Sequence, residues 1–427
     1  MDVLILLAGA VFITVAGVPI AFALGLSALL FLVLNGIPIS SITQVGVTGL
    51  SSYPLLAIPF FIMAGEVMNT GGVTRRLVAF ATAWVGHFIG GLAHVAVVSN
   101  MVMAGLSGSA VADASALTTV MLPSMVERGY PRNFAAALLG SAATIGPIIP
   151  PSIPFVLYGL AASVSIGALF LGGVLPGVVM GICLMTYSYI IARRHGYKKE
   201  RDFSLKYALV SSVKAIPALL MPFILLGGVL GGFFTPTEAA AVSVLYGLFV
   251  GFFVYRELTW RAVWDLLLLT GYRTSLVVII LASTTVLGYV LALEQVPTML
   301  SAAIMQMSDK VWFLLILVNL FLLVVGCFID ASAAILVIAP ILAPALEKVG
   351  VSPVHFGLIM TLNLMIGLLT PPVGGILYIV CEIAKIPFDE YVKAVMPFLL
   401  PLLISLAFVT YVPWLTLWLP GLFGLGR

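Results

Sequence analysis

Two short polar segments interrupt long apolar runs of this chain, and each combines small residues with a carboxylate. Residues 106–115 read LSGSAVADAS and lie inside the apolar run from Leu92 to Val126. Residues 326–332 read GCFIDAS in a similar setting. A bilayer tolerates such groups only where protein or a water-lined site satisfies them. Two polar breaks in corresponding places indicate a transporter with a central binding site.

The residues at these breaks suit a hard cation, which prefers oxygen ligands. Ser107 and Ser109 supply hydroxyl and carbonyl oxygens, and Gly326 and Thr370 supply the same kinds of group in the second half. Residues 146–154 read GPIIPPSIP, where the prolines remove N–H donors and so free carbonyl oxygens. We therefore expect one Na⁺ in each half, with helix N-termini facing a substrate carboxylate.

The expected ligands form three groups. The first Na⁺ site is predicted to contain Gly105, Ser107, Ser109, Gly146, Ile149 and Pro150. The second Na⁺ site is predicted to contain Gly326, Asp330, Gly367, Thr370, Pro371 and Val373. The predicted substrate contacts are Ser109, Asp113, Ser152, Ser332 and Gly374.

Asp113 and Asp330 have two interpretations. As direct Na⁺ ligands they would make ion affinity sensitive to pH. As structural residues they would cap the outgoing helix of each break by accepting from its free N–H groups, which is common for a carboxylate just inside a helix start. The capping role is preferred for Asp113, with serine and backbone oxygens holding the ion.

The composition indicates an integral membrane protein. The chain of 427 residues is 62% hydrophobic and only 8% charged, whereas soluble domains are near 25% charged. Its continuous apolar runs predict helices rather than the alternating strands of a barrel. No GxxxxGK[ST] segment, Ser/His/Asp arrangement or HExxH is present, so we expect an ion-driven transporter and no enzyme. Met1-Asp2 lacks a basic segment, so no cleaved signal peptide is expected.

Isolated polar side chains give weaker signals. The four His residues show no ligand spacing, and they are expected at surfaces or interfaces. Asn100, Asn319 and Asn363 lie within apolar runs, and they are expected to hydrogen bond between helices, with lining of the site as the alternative.

Four segments are predicted to form the centre of an all-α polytopic fold. Re-entrant helical hairpins are expected at 92–127 and 311–347, and broken transmembrane helices at 134–161 and 354–384. These segments would form a transport domain, and the remaining spans a scaffold.

Three other segments have specific predictions. Residues 35–53 are predicted to be a polar connection. Residues 256–273 are predicted to be an interfacial helix separate from a span at 274–292, and 392–418 to be one final span.

The chain contains an internal repeat. Pro19 and Pro236 are 217 positions apart, as are Asp113 and Asp330, each of which begins an Asp-Ala-Ser-Ala sequence. Residues 1–210 and 211–427 are therefore predicted to be two repeats. Each repeat would cross the membrane an odd number of times, so the second must be inverted.

The charge distribution agrees with that inversion. With the basic loop after residue 192 in the cytoplasm, all of the 19 Lys and Arg residues except Lys310, Lys348 and Arg427 fall inside. This is the bias expected of cytoplasmic loops. Both termini are then predicted to be periplasmic, with the first hairpin opening to the cytoplasm and the second to the periplasm.

Four motifs in order resemble the large membrane subunit of tripartite ATP-independent periplasmic (TRAP) transporters. They are SGSAVAD at 107–113, IPPS at 149–152, GFFTPTEAA at 232–240 and GLLTPPVG at 367–374. The resemblance covers essentially the whole chain. It implies an elevator mechanism, in which a transport domain of hairpins and broken helices slides against a scaffold in the bacterial inner membrane.

The resemblance also implies function and partners. It implies Na⁺-coupled import of an organic acid, in most of the family a C4-dicarboxylate, sialic acid or another carboxylate; sialic acid is preferred here. A small four-helix membrane subunit, expected as a separate polypeptide, and a periplasmic substrate-binding protein are the implied partners. A stand-alone Na⁺/carboxylate symporter and a channel or scaffold without coupled transport are the competing hypotheses.

Overall fold

The computed structural model describes residues 17–38, 40–296, 298–299, 310–371 and 374–425, together with Gly9 and Ile13. Every regular element in these ranges is helical. The sequence also predicts an arm at 298–310 and allows a short helix at 3–16, and both segments lie largely outside the described residues. The fold class is therefore all-α, as predicted.

Helices α1 to α9 lie in the first half of the chain. Their bounds are α1 Ile20–Leu34, α2 Ser40–Leu50, α3 Ala57–Thr70, α4 Val73–Val85, α5 Gly91–Ser107, α6 Ala110–Glu127, α7 Arg132–Ala143, α8 Ile153–Ala161 and α9 Ile166–His195. A 3₁₀ turn at Tyr53–Leu56 precedes α3.

Helices α10 to α18 follow in the second half. Their bounds are α10 Leu205–Leu230, α11 Pro236–Phe249, α12 Trp260–Leu293, α13 Val311–Phe328, α14 Ala331–Glu347, α15 Pro353–Gly367, α16 Gly375–Ala384, α17 Phe388–Tyr411 and α18 Trp414–Leu422. A π turn at Val250–Val254 continues α11.

Short polar side chains begin several of the long helices. Ser165, Ser204 and Thr259 accept hydrogen bonds from the first turns of α9, α10 and α12. At α11, Thr235 and Glu238 form a reciprocal capping box, with Pro236 in the first helical position. These groups satisfy N–H donors that no helical carbonyl reaches, so they fix where each helix begins.

Length and hydropathy separate spanning helices from shorter ones. Among the described residues, six helices are long and apolar enough to cross a membrane: α9, α10, α11 with its π turn, α12, α13 and α17. The apolar helices α5, α14, α15 and α16 are shorter, and α5, α14 and α15 are mostly buried. Broken backbone at membrane depth requires such burial in protein.

The broken segments of the two halves pack against one another. Helix α6 of the first half contacts α16 of the second, and α14 of the second half contacts α8 of the first. Helix α12 lies along α1, α2 and α3 and also contacts α14. The hairpin and broken helices thus form the centre, and α12 lies beside it.

Three sequence predictions are wrong. The predicted connection at 35–53 contains α2, which packs against α12. The predicted separate elements 256–273 and 274–292 form the single helix α12 of 34 residues, which contains no proline. The predicted final span ends at Tyr411, because Pro413 interrupts the helix before α18.

Candidate functional site

The first polar break joins two helices that both face the interior. Helix α5 ends at Ser107, and α6 begins at Ala110 after Gly108 and Ser109. Ser109 caps α6, since its hydroxyl accepts from the Ala112 N–H at 3.4 Å. This break lies within the predicted hairpin 92–127 and is called the first hairpin tip; the break between α13 and α14 is called the second hairpin tip.

Asp113 is not the helix cap that the sequence suggested. Its side chain is fully buried, and the Ser107 hydroxyl donates to Asp113 Oδ1 at 2.5 Å. The other oxygen, Oδ2, is buried without a hydrogen-bond partner among the described residues. The capping prediction for Asp113 is wrong because Ser109 already occupies the position preceding α6, while Asp113 is its fourth residue.

The Asp113 carboxylate faces the break between α7 and α8. A Cβ atom at position 146 would overlap Asp113 Oδ2, so only glycine allows this approach. Within the described part of the chain, no hydrogen bond is donated to the carbonyls of Gly146, Ile149 or Pro150. The structure thus brings together a half-paired carboxylate and unwound backbone with free oxygens.

Ser152 closes this break. Its hydroxyl donates to the Pro147 carbonyl at 2.5 Å and accepts from the Phe155 N–H at 3.2 Å, which makes it the cap of α8. It is fully buried, and the Ile153 N–H reaches the Gly108 carbonyl at 3.5 Å. The predicted substrate contact Ser152 therefore closes the break and begins α8, and the neighbouring Ile153 N–H joins the break to the first hairpin tip. Gly105, on α5, lies on the same side near the Pro150 carbonyl.

The residues predicted for the second Na⁺ site lie where backbone packs on backbone. Gly326 near the end of α13 and Gly367 at the end of α15 lie so close that a Cβ at 367 would overlap the Gly326 main chain. The Thr370 hydroxyl donates to the Ile366 carbonyl at 3.0 Å, and the break continues through Pro371. The predicted ligand Val373 lies outside the described residues, and Gly374, buried with a φ of 47°, precedes α16.

Asp330 takes the capping role that Asp113 lacks. It directly precedes α14, and its Oδ1 accepts from the Ser332 N–H at 2.9 Å. Its side chain is exposed rather than buried. The capping interpretation is therefore confirmed for Asp330.

One cavity of about 490 Å³ joins the two hairpin tips. Its polar lining includes Ser107, Ser109, Glu66, Arg273, Asp330 and Ser332. Asp113, Ser152 and Gly374, which were predicted as substrate contacts, do not line this cavity. The predicted contacts that the structure brings together are Ser109 and Ser332.

Two lining residues were missed by the sequence reasoning. Arg273 on α12 forms an ion pair with Glu66 on α3 at the wall of the cavity. The predicted division of α12 had placed Arg273 at the end of an interfacial helix, away from the site. The absence of proline between Trp260 and Leu293 is the signal that could have placed Arg273 inside a long helix.

A separate polar network lies behind the second site. Asn363 donates to Asn319 Oδ1 at 2.7 Å, and Asn319 donates to the Thr410 hydroxyl at 3.1 Å. The buried His355 ring lies 3.2 Å from the Thr410 carbonyl. The predicted interhelical bonding is confirmed for Asn319 and Asn363, whereas Asn100 makes no side-chain hydrogen bond within the described ranges.

The sequence of this chain matches a known protein family over most of its length. The family described as "Tripartite ATP-independent periplasmic transporter, DctM component" matches residues 7–415. The chain belongs to this family. It is thus a multi-pass membrane protein of the TRAP transporter class, as the four motifs predicted.

Individual relatives agree with this assignment. The chain is 43% identical to the sialic acid TRAP transporter large permease protein SiaM of Vibrio cholerae, over 96% of each chain. It is 42% identical to the isethionate TRAP transporter permease protein DctMQ of Oleidesulfovibrio alaskensis, over 95% of this chain but 64% of that protein. The relatives are transport permeases, in agreement with the prediction of a transporter rather than an enzyme.

A solved structure has a related fold. The Alcanivorax borkumensis YdaH transporter superposes with a TM-score of 0.66, covering 91% of this chain and 90% of its own. The sequence identity is 14%, so this likeness concerns the fold alone.

Proposed function

We propose that this chain is the large permease subunit of a TRAP transporter that imports an organic acid across the bacterial inner membrane, coupled to Na⁺. Family membership supports the transport role. The names of the relatives, which refer to sialic acid and isethionate, support an organic acid as substrate. Sialic acid is the preferred substrate, and a C4-dicarboxylate is the next.

The observation that carries the Na⁺ proposal is the environment of Asp113. Its carboxylate is fully buried, one oxygen lacks a partner, and none of the ion pairs between described residues includes it. A buried carboxylate without a counter-charge is costly. A Na⁺ beside it would compensate that charge, and the free carbonyls of Gly146, Ile149 and Pro150 are suitable ligands.

A second Na⁺ is proposed where Gly326 meets the break after Gly367. Thr370 and Pro371 contribute oxygens there, next to the close contact of the two glycines. A cation at this point would link the second hairpin to its broken helix. Binding at both sites would order the tips around the substrate cavity.

The cavity between the tips is the proposed substrate site. Ser109 and Ser332 offer hydroxyl groups from opposite hairpins. Its volume of about 490 Å³ suits a small organic acid. Because both tips line one space, substrate binding and the ion sites are coupled through the hairpins.

The proposed mechanism includes the predicted inverted repeats, 1–210 and 211–427. The hairpins and broken helices would move as a transport domain against α12 and the other outer helices. A small four-helix membrane subunit and a periplasmic binding protein are the proposed partners, and both termini are proposed to be periplasmic.

Uptake into proteoliposomes tests this proposal. The chain is reconstituted with a small membrane subunit, and labelled N-acetylneuraminate or succinate is supplied with a cognate binding protein under an inward Na⁺ gradient. We expect uptake that requires the binding protein and Na⁺ and that K⁺ does not support. Uptake without the binding protein would indicate a stand-alone symporter instead, and absence of Na⁺ dependence would contradict the coupling.

A further inference from the structure

The ion pair between Arg273 and Glu66 lies at the substrate cavity rather than at a distant surface. Both side chains line the cavity that contains Ser109 and Ser332. Arg273 is the only cationic side chain in this lining among the described residues. Its position on α12 is outside the hairpins, on the helix that flanks them.

The charges around the cavity constrain how an anion can lie in it. Asp330 lines the same space, and it repels a carboxylate. The serine hydroxyls are neutral donors. An organic acid therefore orients its carboxylate away from Asp330 and toward Arg273, whose planar guanidinium can form two parallel hydrogen bonds with a carboxylate.

We infer that Arg273 is a substrate-binding residue that exchanges Glu66 for the carboxylate of the transported acid. This inference rests on the proposed import of organic acids. Glu66 pairs with the guanidinium of Arg273 in this structure, and an entering carboxylate takes its place. Arg273 has a carboxylate partner before and after the exchange, whereas Glu66 loses its partner and must be solvated by water in the cavity, which lowers the affinity for the acid.

The exposure of the pair fits this exchange. The Arg273 side chain is 38% exposed, whereas that of Glu66 is 15% exposed, so the arginine is the partner that an anion can reach. Arg273 and Glu66 also line a second cavity of about 540 Å³ that includes Lys385. Arg273 thus lines both cavities, and Lys385 is a further cation in the lining of the second cavity.

The two partners should have opposite effects on uptake by the reconstituted complex. With N-acetylneuraminate or succinate as the labelled acid, whichever the wild-type complex imports, Arg273→Gln should raise KM by about tenfold. Arg273→Lys should give an intermediate KM, because lysine keeps the positive charge but cannot form the two parallel hydrogen bonds of the guanidinium. Glu66→Gln should lower KM, because it removes the competing carboxylate. When the acid is saturating for each variant, the Na⁺ concentration for half-maximal uptake should stay unchanged.

A purely structural ion pair gives a different pattern. Arg273→Gln and Glu66→Gln would then remove the same contact and shift KM in the same direction, which would overturn the inference. Lys393→Gln is the control, because Lys393 is an exposed cation that pairs with Asp389 on the surface of α17. If the wild-type complex imports neither acid, the proposed function fails, and not this inference alone.

A chemical measurement on the unmodified complex does not depend on the folding of a variant. Phenylglyoxal modifies accessible arginines, and peptide mass spectrometry reads the adduct at Arg273. The imported acid at saturating concentration should slow modification of Arg273 at least about twofold, by occupying its guanidinium. Unchanged modification of Arg273 would contradict carboxylate binding there.

Discussion

The two hairpin tips carry the same Asp-Ala-Ser-Ala sequence, yet their carboxylates lie in opposite environments. Asp113 is buried beside Ser107 and Gly146, whereas Asp330 is exposed and caps its own helix. The difference arises from where each helix begins: Asp113 is the fourth residue of α6, and Asp330 immediately precedes α14. A shift of about one helical turn therefore places Asp113 inside the first turn of α6, beside Ser107, and leaves Asp330 at the exposed start of α14.

The residues around the two aspartates differ in the same way as their burial. Ser107 holds Asp113, but the residue 217 positions later is Val324, which is 52% exposed and has no group to bind a carboxylate. The first tip concentrates negative charge at the buried break. At the second tip, Gly326 packs against Gly367, and the Asp330 carboxylate lines the cavity between the two tips. A repeat in sequence thus supplies two sites with different electrostatics.

The largest effect is expected from adding a methyl group at each break. Gly146→Ala and Gly367→Ala should each lower the free energy of unfolding by about 3 kcal/mol and abolish Na⁺-dependent stabilisation. In both variants the added methyl group would overlap neighbouring atoms. Adding Asp113→Ala should partly restore the stability of Gly146→Ala, because the new methyl group overlaps mainly with the Asp113 side chain. No side-chain change relieves Gly367→Ala, whose clash is with backbone.

Chemical denaturation of the purified chain measures these differences. Gly227→Ala is the matched control, because it lies within α10 with no atom near the added methyl group. Equal rescue of both variants by Asp113→Ala would contradict the distinction between the two breaks.

An intermediate effect is expected from Ser107. Ser107→Ala removes the donor to Asp113 and leaves a buried carboxylate with less solvation, which should cost about 2 kcal/mol in the absence of Na⁺. Val324→Ala, the change at the matching position of the second half, should cost much less because that side chain is half exposed. Thermal unfolding of both variants checks this, and equal losses would argue against a special role for Ser107.

The smallest effect is expected at the exposed carboxylate. Asp330→Ala should cost about 1 kcal/mol through loss of the cap on α14, whereas Asp330→Asn should cost little because asparagine caps a helix equally well. Denaturant unfolding of the two variants gives the comparison. Equal losses in Asp330→Asn and Asp330→Ala would show that the charge, and not the cap, is the important property.

The break positions were predictable from the sequence, and the roles of the carboxylates were not. Prolines and glycines after residue 145 mark the unwound segment directly, because proline cannot continue a helix. The matched Asp-Ala-Ser-Ala sequences do not reveal the one-turn shift. It arises because α6 begins after Ser109, four residues before its aspartate, whereas α14 begins directly after Asp330.

Arg273 was missed for a different physical reason. Its charge predicted a helix end, but the continuous helix α12 carries it alongside the hairpin tips, where Glu66 compensates it. A charge in a long helix can be tolerated if its partner lies on a neighbouring helix. Only tertiary structure reveals that partner, because Glu66 belongs to α3 in the other half of the chain.

A Na⁺ titration of thermal stability tests the difference between the two carboxylates most directly. The purified chain is titrated with Na⁺ at constant ionic strength in K⁺, comparing Asp113→Asn with Asp330→Asn. We expect Asp113→Asn to raise the half-saturating Na⁺ concentration by about tenfold or more, and Asp330→Asn to leave it within about twofold. Equal shifts in the two variants, or a shift in Asp330→Asn alone, would contradict an ion compensated by Asp113.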